Sequence, residues 1–163
     1  MSEPLSAFFK LRIDRPKLVR WLDSPVRRAS QWTDWRDIGG QYHNVGVQEL
    51  RDFSDADMAR TVAESDALLL RYKDNRAAVR EIMNSAEEPY LKHASYRTDT
   101  QDFVAGSLTY AENLVDYIAF YTVVRGAAAS FAGDDYGIAV IHNYQWGSTR
   151  DTSSAMRLGP GPL

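Results

Sequence analysis

The run ENLVDYIAFYTVVRGAAASFAG, residues 112–133, can be read two ways, and each gives a different protein. Leu114, Ile118, Tyr121 and Ala128 follow a helical stripe, and Gly133 suits a helix end. YIAFYTVV is also rich in β-favouring residue types. Length separates the two readings, because strands usually stop at about ten residues. The run is therefore predicted to be a helix. It is apolar almost all round, and such a helix belongs at the centre of the molecule.

Strands are expected on both sides of that helix. DFVAGSLTYA, residues 102–111, suits a strand with a glycine interruption, and YGIAVIHNYQW, residues 136–146, reads as another, interior over Ile138 to Ile141. In this second strand Tyr136, Ile138, Val140, His142, Tyr144 and Trp146 share one face, and if that set faces the core at Ile138 and Val140, His142 lies at the core margin. Near the N-terminus, AFFKLRI alternates Phe9, Leu11 and Ile13 against Phe8, Lys10 and Arg12, the pattern of a half-buried strand. YHNVGVQEL, residues 42–50, is a weaker strand candidate, interrupted by Gly46.

Helix signals fill the spaces between. Asp14 precedes RPKLVRWL, where Pro16 can sit in the first turn without losing a useful N–H. Ser24, Pro25 and the Gly39-Gly40 pair bracket a further short helix with a thin apolar stripe. Ser54 caps SDADMARTVAESDALLL, with Asp55 and Asp57 at the positive end of the dipole and Met58, Ala59, Val62, Leu69 and Leu70 as its buried face. Asp74 caps a helix whose inward residues are Ala78, Val79, Ile82 and Met83, stopped by Pro89. The expected fold is α+β: one domain over residues 1–150, with a small, mostly antiparallel sheet and helices packed on one side. Residues 151–163 follow as a flexible or surface-laid tail.

Composition narrows the function classes. The chain has 163 residues, 44% hydrophobic and 25% charged, the profile of an ordinary globular domain. It holds no apolar run of about 18 residues, so no membrane span is expected. The N-terminus lacks a basic segment followed by an apolar one, so no secretory leader is expected either. Cysteine is absent, which removes disulfides, thiolate metal sites and a Cys nucleophile together, and a reducing cytoplasm is the simplest compartment. His43, His93 and His142 are too scattered for a zinc site, so neither metal nor cofactor is expected. No dinucleotide fingerprint, phosphate loop or G-x-S-x-G elbow occurs.

Two groups of residues remain as candidates. The first is catalytic. His142 at the margin of its strand could act as a general base, oriented by Asp134, Asp135 or Asp116. The plainer alternative makes His142 a satisfied polar residue at a strand end and Asp134-Asp135 a turn. The second group is adhesive. QWTDWRDIGGQYHN, residues 31–44, sets Trp32, Trp35 and Tyr42 around a glycine turn beside Asp37, and these are the residue types that anchor interfaces. Trp32 and Trp35 could equally be core anchors of a small domain. Asp52, Asp55 and Asp57 add an acidic run, and Tyr144 and Trp146 form the sticky end of the late strand.

Charge is segregated along the chain. The net charge of −3 is the balance of a basic segment at 1–36 (+4), an acidic one at 37–70 (−5), a basic one at 71–97 (+2) and an acidic one at 98–163 (−4). Such patches steer partners and set docking register. The basic N-terminal segment carries Trp21, Trp32 and Trp35 among its arginines, a nucleic-acid pattern, but the acidic balance of the whole argues against that class. In size and composition the chain resembles bacterial inhibitors that neutralise a toxin by binding it, and no single residue carries over from that likeness. The expected partner is a protein, most concretely a toxin with a basic active-site cleft. A small enzyme or ligand-binding protein with a pocket near His142 is the alternative.

Overall fold

The computed structural model describes residues 5–41, 50–83, 92–111, 113–143 and 152–159. It confirms the α+β architecture. The helix expected over 112–133 forms but is shorter: α4, Leu114–Arg125, occupies the centre with every residue from Tyr117 to Val124 buried, and Gly126–Ser130 tightens into a 3-10 segment, so Gly126 rather than Gly133 closes the α-helix. Asn113 caps its N-terminus by accepting from the Asp116 N–H at 2.9 Å.

Beneath α4 lies a six-stranded sheet of β1 (Leu5–Arg12), β2 (Gly39–Gln41), β3 (Lys92–Arg97), β4 (Asp102–Ala111), β5 (Tyr136–Asn143) and β6 (Thr152–Leu158). Its order is β2-β6-β5-β1-β4-β3, and every pairing is antiparallel. The predicted alternation in β1 holds: Phe9, Leu11 and Ile13 are buried. Phe9 meets Trp21, Phe103 and Phe120 with ring centroids 5.7–6.2 Å apart, joining sheet to helices.

Three further helices lie on the same side. α1 (Arg15–Leu22) starts at Asp14, whose carboxylate accepts from the Lys17 N–H, with proline in the first turn. α2 (Asp55–Leu69) is capped by Ser54 and buries Met58, Val62 and Leu69. Ala59 and Leu70 instead face outward, because Thr61 and Ser65 take the inner positions. The Ser65 hydroxyl reaches the Val115 carbonyl at 2.9 Å, so α2 rests on α4 and α4 separates it from the sheet. α3 (Asn75–Met83) is capped by Asp74, with Ala78 and Val79 buried. The Asn75 amide donates to the carbonyls of Trp21 and Ser24, fastening α3 to the end of α1.

Four expectations are corrected. The helix between Ser24 and Gly40 does not form; the chain makes two single turns, Ala29–Gln31 and Trp35–Asp37, and then enters β2. A thin apolar stripe cannot sustain a helix once both tryptophans are drawn toward one point. Second, residues 152–158, read as part of the tail, form β6 between β5 and β2. Third, KHASYR, residues 92–97, forms β3, for which no strand was expected. Fourth, β5 is turned over: Gly137, Ala139 and Ile141 face the helices, while Tyr136, Ile138, Val140 and His142 face away. A Cβ at Gly137 would stand 2.6 Å from Leu11 Cδ2, so the inner face takes the small residues that its crowding demands. The strand candidate at 42–50 lies mostly outside the described residues.

The core contains two tyrosine hydroxyls with opposite fates. Tyr121 and Ser154 share a hydrogen bond of 2.7 Å. Tyr117, with its ring 5.2 Å from that of Tyr121, has a buried hydroxyl with no well-formed hydrogen bond among the described residues. Burial pushes both phenols above their ordinary range. Removing an unsatisfied buried hydroxyl is neutral or stabilising, whereas removing a paired one costs about 1 kcal/mol or more. Tyr117→Phe should therefore leave the urea midpoint unchanged or raise it, and Tyr121→Phe should lower it.

Candidate functional site

The catalytic candidates do not converge. Asp134 and Asp135 precede β5, and His142 is near its far end. Seven residues of strand put Asp135 and His142 about 23 Å apart at ~3.3 Å per residue. His142 lies on the outer face, in register with Ser6 of β1 and Ser153 of β6. Asp116 sits at the N-terminus of α4, on the other side of the sheet, where its carboxylate accepts from the Asn113 amide at 2.8 Å. Asp135 is a structural fastener: it accepts from the Ala132 N–H at 2.9 Å and pairs with Lys17, tying α1 to the start of β5. Asp134 is exposed in the turn that follows Gly133, whose φ of +59° needs a glycine. Among the described residues, no three His, Asp or Glu side chains come close enough to hold a metal ion.

The adhesive candidates divide. Trp35 is buried and donates its indole N–H to the Ala29 carbonyl at 3.0 Å. Trp32 is half-buried and packs edge-on against it, centroids 6.2 Å apart. The Arg125 guanidinium lies 4.7 Å from the Trp32 ring centroid and 5.8 Å from that of Trp35. It also grips Asp34 with two hydrogen bonds of 2.7 and 2.6 Å. The two tryptophans therefore close over the basic C-terminal end of α4, where a cation is favoured by the helix dipole. Trp35 is thus an interior anchor, while Trp32 keeps part of its ring at the surface. Tyr42, Tyr144 and Trp146 lie outside the described residues.

The acidic candidates do come together. Arg36 donates to the Phe53 carbonyl at 2.9 Å and to Asp55 at 3.1 Å. This clamp draws the turn carrying Asp37 to the start of α2. Asp37 and Asp52 are exposed, Asp55 is fully exposed and Asp57 is partly so. Arg60 pairs with Asp57 at 2.7 Å. Asp37 and Asp52 are chain neighbours of the clamped Arg36 and Phe53, so the four acids belong to one stretch of surface, an acidic ledge with Arg36 and Arg60 among them. Sequence reasoning missed Arg36, the residue that assembles the ledge, and the Asp34–Arg125 lock. A lone arginine ending an otherwise apolar helix was the available signal that some distant acid had to meet it.

The Asp34 lock has a measurable acid signature. The Arg125 hydrogen bonds hold the Asp34 carboxyl below the usual carboxylate range, against an opposing effect of burial. The stabilisation is complete above the unfolded-state value near 3.9 and is lost as pH falls through the depressed folded value. Asp34→Asn should thus be less stable than wild type at pH 6, with the gap in urea midpoint closing toward pH 2. Comparison of the chain with protein-family models, curated proteins and solved structures gives no match.

Proposed function

We propose that this chain is a protein-binding module, most concretely a bacterial cytoplasmic inhibitor of the immunity type that neutralises a toxin by direct contact. The observation that carries this reading is the acidic ledge of Asp37, Asp52, Asp55 and Asp57, brought into one place by the Arg36 clamp. Exposed ion pairs such as Arg36–Asp55 and Arg60–Asp57 contribute little to stability, so these carboxylates can exchange intramolecular partners for a stronger external one. A partner with a basic cleft would be steered toward the ledge and held in register there. Of the aromatic residues expected at 31–44, Trp35 is buried and leaves the surface, and Trp32 stays half-buried beside it.

The reading is tested by co-expressing the chain with the toxin-like product of an adjacent gene and measuring survival and complex formation. Protection is expected. The fourfold variant Asp37→Asn, Asp52→Asn, Asp55→Asn, Asp57→Asn should associate at least tenfold more slowly at low salt, with the difference shrinking at high salt. Absence of protection and of a complex, or an association rate indifferent to the four changes, would discard the proposal.

A further inference from the structure

The face of the sheet turned away from the helices carries a second surface, of different chemistry. Register places its residues in rows. Phe8 stands between Gly106 of β4 and Val140 of β5, and Val140 is opposite Ala155 of β6. One step along, Lys10 stands between Val104 and Ile138, and Ile138 is opposite Arg157. At the end, Arg12 stands between Asp102 and Tyr136. None of the described helices covers these rows. Phe8 and Tyr136 are each 38% exposed, unusual for large side chains on a sheet of this size. A Cβ at Gly106 would stand 2.2 Å from Phe8 Cδ1, so the missing side chain lets the Phe8 ring lie across β4 and present itself to solvent.

Among the described residues the charge of this face is mainly positive. Lys10, Arg12 and Arg157 surround the apolar centre, and Asp102, little exposed, is shared by Arg12 at 3.1 Å and Lys10 at 3.8 Å, which leaves an excess of cations. Arg97 at the border is neutralised by Asp99 at 2.9 Å. Arg157 is exposed and has no ion-pair partner among the described residues.

We infer that this face is a docking surface for an acidic polypeptide segment bearing an aromatic or aliphatic anchor. The anchor would seat among Phe8, Val104, Ile138 and Val140, and its acidic flanks would meet Lys10, Arg12 and Arg157. An apolar centre with a charged rim is the anatomy of a protein interface. Two other occupants fit less well. A second copy meeting this face with its own would bring like cations together. A single-stranded nucleic acid needs successive stacking platforms, yet three of the central residues are aliphatic and the Tyr136 ring already has the Arg12 guanidinium 5.4 Å from its centroid. The surface is separate from the acidic ledge, and the two are independent claims.

The test uses the full chain with three probes: a random Glu/Tyr copolymer, poly-Glu, and an oligo-dT of similar charge, each followed by fluorescence anisotropy, with sedimentation of the chain alone. The copolymer should bind at low salt at least tenfold more tightly than poly-Glu. Phe8→Ser and Arg157→Glu should each weaken it at least tenfold, while the fourfold Asp→Asn ledge variant should bind it no less tightly than wild type. No copolymer binding, or binding that both surface variants leave unchanged, overturns the inference. So does tighter binding of oligo-dT, which would mark a nucleic-acid surface. A concentration-dependent dimer abolished by Phe8→Ser would overturn it in favour of self-association. Arg157 is exposed at the sheet surface, so its variant remains informative if Phe8→Ser perturbs folding.

Discussion

Enclosing α4 is the demand that the rest of the structure meets. A helix buried from Tyr117 to Val124 has no face to offer water, so every side of it needs a partner. The sheet supplies one side through Phe9 and Tyr110, whose rings lie 6.2 and 5.6 Å from that of Phe120. α2 supplies another through Ser65. Burying a large apolar side chain contributes about 1.5–3 kcal/mol relative to leaving it exposed, so this one helix organises a large share of the favourable free energy. Its ends are handled locally: Asn113 at the first turn, and Arg125 held by Asp34 under two indole rings at the last.

That enclosure explains why several polar groups that look chemical in the sequence are structural in the fold. Asp135, Asp66 and Asn75 each satisfy backbone N–H groups or carbonyls where irregular segments pass close to helices. Such segments have no ladder of their own, and a buried backbone group left unpaired is costly. Acids and amides near the α4 assembly are thus committed to holding loops.

The same layering sets the two proposed surfaces on opposite sides of the sheet. Helices on one face of an antiparallel sheet leave the opposite face open to solvent or to a partner. The acidic ledge ends up on the helix side, and the cations of β1 and β6 surround an apolar centre on the sheet side. Both proposed contacts follow from that arrangement, and both are matters of recognition rather than bond-making.

Features whose cause is local were legible in the sequence. Asp14 with Pro16, Ser54 with its following acids, and Asp74 each announce a helix start, because capping joins residues only three apart. The alternation of β1 likewise pointed to a strand, and the run at 112–133 to a central helix, although the α-helix ends at Arg125. Tertiary structure decided whatever required choosing between distant partners. β5 has larger apolar residues on the face that turned outward, and only the bulk of α4 and Leu11 dictates that Gly137 and Ala139 go inside. β6, with serines where a core strand usually carries aliphatics, is recognisable only through its neighbours, since Ser154 is satisfied by Tyr121. Arg36 and Asp55 stand 19 residues apart, and Arg125 and Asp34 stand 91 apart. No periodicity or cap connects such pairs, so the site they build exists only once the chain has closed around its central helix.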